Sequence, residues 1–69
     1  MEIGNIVYVR REKIYGEDMF MYQEGRIVGI YPSHILVEFK FENGNSYRES
    51  FREKQLKKRE ELFYNEYIY

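Results

Sequence analysis

A chain of 69 residues supplies one domain at most, and a core of that size leaves on the order of 3–5 kcal/mol of net stability. Eleven Lys and Arg against twelve Asp and Glu give a net charge of −1, which excludes a global field drawing the chain onto nucleic acid or an anionic membrane. With no cysteine, neither disulfides nor thiolate metal ligands can supplement the core.

Aromatic rings take over that task. Eight Tyr and five Phe make 19% of the chain, and each ring buries far more surface than an aliphatic side chain. Aromatic and β-branched enrichment with a single proline points to an ordered β domain. No apolar run approaches the roughly 20 residues of a membrane span, and the N-terminus lacks the basic-then-apolar layout of a secretory signal. The expectation is a soluble, cytoplasmic protein.

The first strand is expected within Met1 to Arg11, where Val7 and Val9 alternate with Tyr8 and Arg10 after a Gly4-Asn5 turn. A polar stretch from Glu12 to Asp18 reads as the longest loop, and Met19 to Tyr22 as its apolar return arm. Glu24-Gly25-Arg26 then leads into a strand from Ile27 to Tyr31. If Ile27 and Ile30 both face inward, their spacing breaks two-residue alternation, and Gly29 lies where a bulge or bend costs least. Pro32 turns the chain by fixing φ and withdrawing an amide from the ladder.

His34 to Phe41 is the clearest strand, with Ile35, Val37, Phe39 and Phe41 on one face and His34, Leu36, Glu38 and Lys40 on the other. The turn after it has two registers. A two-residue Asn43-Gly44 loop would set Glu38 against Glu49; a three-residue loop, Glu42-Asn43-Gly44, pairs Phe39 with Tyr47 and Ile35 with Phe51. Burial of the apolar face selects the second. It also places Glu49 across from Val37 on the apolar face, where a lone charge is costly, so exposure or an arginine neighbour is expected.

Beyond Phe51 two readings stay open. In one, Arg52 to Gln55 form a 3₁₀ turn, Leu56 plugs the core and Lys57 to Glu61 form a short closing strand. In the other, an amphipathic helix runs from about Glu53 to Tyr64, which propensity favours and Glu60 on its apolar face weakens.

Three patterns now resemble an SH3-like barrel: Gly4-x-x-Val7-x-Val9, then Gly25-x-Ile27-x-x-Ile30 with Val37-x-Phe39, and Phe51 with Leu56 five residues on. The whole chain is similar to the small prophage-encoded YorP type of protein over about residues 3 to 61. The resemblance implies an all-β, five-stranded SH3-like barrel with a 3₁₀ turn before the last strand, and no assigned activity. On this reading residues 1–61 are the barrel and 62–69 an aromatic C-terminal tail. Absence of Trp argues against polyproline recognition of the SH3 kind. The segment Gly25 to Phe39 also resembles the KOW-type half-barrel, which implies RNA or protein binding.

Chemistry finds little to work with. The single histidine, His34, follows Ser33, and strand neighbours point to opposite faces. One histidine without cysteine does not make a zinc site, and phosphate-cradling glycine motifs are missing. Paired carboxylates such as Glu17-Asp18 and Glu60-Glu61 read as solvated charge. No enzyme activity, metal or cofactor is expected. The first expectation is a protein-interaction or regulatory module, monomeric, with an unknown protein partner held by Tyr8, Tyr15, Phe20, Tyr22 and Tyr31. The alternative is a nucleic-acid-binding barrel using Arg10, Arg11, Arg26 and the cluster Arg52, Lys54, Lys57, Lys58 and Arg59, with Tyr64, Tyr67 and Tyr69 as stacking platforms.

Overall fold

The computed structural model describes residues 1–11, 21–62 and 67–68. The fold is all-β: five antiparallel strands in the order β4-β3-β2-β1-β5, where β1 is Ile6–Arg11, β2 Met21–Ile30, β3 Ile35–Lys40, β4 Ser46–Phe51 and β5 Leu56–Lys57. A short sixth segment, β6 (Tyr67–Ile68), runs parallel to the start of β2. The described residues contain no α-helix and two 3₁₀ turns, Glu53–Gln55 and Arg59–Glu61. The expected barrel is not closed by strand pairing: β4 and β5 are the ends of the strand order, and no ladder joins them among the described residues.

The sheet nevertheless curls around one core. Directly opposed residues of an antiparallel pair share a face, so the register assigns Val7, Val9, Ile27, Ile35, Val37, Phe39 and Phe51 to the inner face, and Leu56 of β5 joins them there. All eight are buried. Gly25 is the close approach in this packing. A Cβ there would stand 2.5 Å from Val37 Cγ1 and 2.7 Å from the Phe39 ring, so the missing side chain lets both settle against β2.

The hairpin register follows burial as expected. Phe39 pairs with Tyr47, Ile35 with Phe51 and Glu38 with Arg48. The loop is Glu42-Asn43-Gly44, closed by Phe41 N–H donating to the Asn45 carbonyl at 2.7 Å, with Gly44 at φ 90°. Phe41 departs from the expected inner row: it is 53% exposed at the strand's end, its ring tilted against Tyr47 at 4.9 Å.

β2 begins earlier than the Ile27 start read from sequence, and spans ten residues. The register shifts between Ile27 and Gly29, so the bulge falls where the parity break indicated. Ile27 opposes Val37 and Ile30 opposes Ile35, which places both isoleucines on one face, but Ile30 reaches only its rim and is 44% exposed.

At the C-terminal side the 3₁₀ reading describes residues 53–62, with a correction. The closing strand is only Leu56–Lys57, and a second 3₁₀ turn occupies Arg59–Glu61 where strand was expected. Each turn is closed by the same device. Gln55 Oε1 accepts from the Arg52 amide at 2.8 Å, and Glu61 Oε1 accepts from the Lys58 amide at 3.0 Å. These side chains satisfy the orphan N–H that opens each turn.

Candidate binding surface

Three places on the described residues gather polar or exposed aromatic side chains. The first lies on the inner face at the rim of the core. Arg11 Nε donates to Gln23 Oε1 at 2.8 Å, Arg11 Nη2 to Glu49 Oε1 at 3.0 Å, and Gln23 Nε2 to the Tyr47 hydroxyl at 2.8 Å. The Arg11 guanidinium also lies 5.0 Å from the Phe39 ring centre and 5.7 Å from that of Phe51. Burial works against the Arg11 charge, and the hydrogen bond and charge of Glu49 outweigh it, so the Arg11 pKa is raised. This answers the Glu49 expectation with an arginine neighbour, and it joins β1 to β4 across the curl of the sheet. No buried side-chain polar atom among the described residues lacks a partner, and the cluster reads as a structural closure.

The second place is the turn between β2 and β3. Tyr31 is 49% exposed, and its ring stacks on His34 with centroids 4.7 Å apart and planes 19° from parallel. Gly29 sits beneath that ring: a Cβ there would meet Tyr31 Cε2 at 2.8 Å. Ser33 Oγ and His34 Nδ1 are 3.1 Å apart, which corrects the expectation that strand alternation would separate them, because both lie in the turn. The pair is exposed and has no third group orienting the imidazole among the described residues, so it does not make a nucleophile and base.

The third place is the outer face. Cross-strand register sets Ile6 beside Arg26, Arg26 beside Glu38 and Glu38 beside Arg48, with Lys40 further along β3. Arg48 Nε donates to Glu38 Oε2 at 3.1 Å. Where β2–β3 pairing stops at Arg26 and Glu38, a groove of about 890 Å³ opens through the gap, lined by outer-face residues such as Glu24, Arg26 and Lys40 and also by Arg11 and Gln23 of the inner-face cluster.

The expected contact aromatics divide. Tyr15 and Phe20 lie outside the described residues. Tyr22 and Tyr8 are 1% and 4% exposed, so neither ring is open to a partner; Tyr8 donates its hydroxyl to Glu24 Oε1 at 3.0 Å and lies under the Arg59 guanidinium, 5.9 Å away. Strand alternation had set Tyr8 on the outer face, and the second 3₁₀ turn, unread in the sequence, covers it. Of the three that are described, Tyr31 alone stands exposed.

The basic residues do not form one patch. Arg10 and Arg26 lie on the outer face, Arg11 on the inner. Arg52, Lys54, Lys58 and Arg59 are exposed on and beside the two turns, with Glu53, Glu60 and Glu61 exposed among them, and Lys57 is half-buried in β5. The hydrogen bond to Tyr8 raises the Arg59 pKa. Tyr64 and Tyr69 lie outside the described residues, and β6 carries Tyr67 along β2. Arg48, which the sequence reading did not single out, is set beside Glu38 only by the register.

Among the described residues no cluster of His, Asp or Glu is arranged to hold a metal ion, and no helix is long and apolar enough to cross a membrane. Together these features define, over the described residues, a small all-β protein with an open curled sheet, an exposed aromatic turn and a groove at the end of the β2–β3 ladder. Comparison with known protein families, curated proteins and solved structures finds no match.

Proposed function

We propose that this chain is a non-enzymatic interaction module, an SH3-like barrel of the prophage YorP type, that binds another protein through the turn at Tyr31 and acts as a monomer in the cytoplasm. The observation that supports this is the state of Tyr31. Its ring is half-exposed yet held from two sides, by His34 stacked against it and by Gly29 beneath it. An aromatic ring ordered before binding loses little freedom on contact, which is the property of residues that anchor interfaces. Ile30 adds an exposed apolar neighbour.

The nucleic-acid reading draws on the exposed Arg52, Lys54 and Lys58. It is weakened by the carboxylates exposed among them and by the engagement of Arg11 with Glu49 and Arg59 with Tyr8. The test is capture from a host extract by the intact chain and by its Tyr31→Ala variant, with thermal unfolding as the control. Loss of one defined protein from the variant at unchanged melting temperature is the expected result. Capture that survives Tyr31→Ala, or that salt abolishes along with nucleic acid, would set this reading aside.

A further inference from the structure

We propose that Asn43 is a self-modification site: its side-chain amide is lost as ammonia to attack by the Gly44 backbone nitrogen, and water converts the succinimide so formed into aspartate or isoaspartate within the β3–β4 turn.

The turn itself selects this asparagine. Asn43 and Gly44 are both exposed at the tip of the Glu42-Asn43-Gly44 loop. The attacking nitrogen belongs to a residue with no side chain, and a Cβ built on Gly44 would meet nothing within 4 Å, so no packing confines the tip. Two hydrogen bonds hold it: Gly44 N–H donates to the Phe41 carbonyl at 3.1 Å, and Asn45 N–H to Asn43 Oδ1 at 3.0 Å. A tip held so lightly opens locally at small cost. Asn5 and Asn45 are worse placed. Each precedes a residue whose side chain crowds the attacking nitrogen, Ile6 and Ser46, and each of those residues begins a strand. The Asn45 carbonyl is also pinned by Phe41 N–H at 2.7 Å. Asn65 lies outside the described residues.

In the first step the Gly44 nitrogen bonds to Asn43 Cγ, the bond from Cγ to Nδ2 breaks, and the proton from the Gly44 amide leaves on ammonia. Water then adds to one of the two imide carbonyls. Opening at Cγ restores the ordinary main chain with aspartate at 43; opening at the other carbonyl leaves the main chain running through Cβ and Cγ as isoaspartate. The two products act differently on the fold. Aspartate keeps a side-chain oxygen for the Asn45 amide and adds a negative charge next to Glu42. Isoaspartate lengthens the main chain by one atom inside a loop whose length sets Phe41 opposite Asn45 and Phe39 opposite Tyr47. The site lies at the opposite end of β3 from Tyr31, so it stands or falls independently of the interaction reading.

The test is incubation of the intact chain in neutral buffer at physiological temperature, beside a peptide of residues 39–47, followed by intact mass and peptide mapping. The expected result is a gain of about one dalton that maps to Asn43 in two chromatographically distinct forms. The peptide should react severalfold faster, because the folded turn engages the Gly44 amide. Asn43→Gln, one methylene too long to close the five-membered ring, should slow conversion at least tenfold in both chain and peptide. In ¹⁵N spectra Asn43→Asp should shift amides of the turn alone, whereas the isoaspartate form should shift them along β3 and β4. No conversion at Asn43 while the peptide converts fully, faster conversion at Asn5 or Asn45, or an undiminished mass gain in Asn43→Gln would each overturn the proposal.

Discussion

Arg11 donates to Gln23 and Glu49 while its planar group lies over Phe39 and Phe51, so one side chain holds two separable contributions. The ion pair is open to solvent, with side-chain exposures of 24% and 43%, and pairs of that kind contribute about 0.2–1 kcal/mol. Covering two rings adds packing and a cation–π term of about 0.5–1 kcal/mol or more. Glu49→Gln is therefore expected to cost less than Arg11→Ala in denaturant unfolding, and raised salt should remove a larger share of the Glu49 effect than of the Arg11 effect. Equal costs for the two substitutions would show that the rings contribute nothing. The inward Glu49 was legible because the hairpin register fixed its face; its partner was not, because Arg11 sits 38 residues away and meets it only through the curl.

At the scale of elements, short-range patterns survived where burial decided the outcome and failed where propensity stood alone. The hairpin at Gly44 was readable because one register buries Phe51 and the other does not. Residues 53–62 are rich in helix formers, yet they form two 3₁₀ turns around β5. Their sequence carries an unread repeat: Arg52-Glu53-Lys54-Gln55-Leu56 is echoed by Lys58-Arg59-Glu60-Glu61-Leu62, and the Gln or Glu closes each turn onto the opening amide. A continuous helix would carry buried Leu56 off the inner face, where β5 pairs with Val9. Gln55→Ala is expected to cost about 0.5–1 kcal/mol, in the range of a lost cap, and to raise hydrogen exchange at the Arg52 amide. Unchanged exchange there would mean that the side chain does not hold the turn.

Across the whole molecule, the curl of an open sheet decides which residues are available for contact. Tyr8 and Tyr22 carried the same signal in sequence as Tyr31, an aromatic ring at a strand or turn, yet two are covered and one is open. Alternation assigns a face and is silent about what packs over it. The groove was equally hidden, because it arises from the length of β2 and from the point where β3 leaves it. Placing a photo-crosslinking phenylalanine analogue at position 31, and in a second chain at position 54 on the first 3₁₀ turn, tests the interaction reading most directly. The account predicts one discrete protein adduct from position 31 that position 54 does not give. Adducts to nucleic acid, or identical protein adducts from both positions, would contradict it.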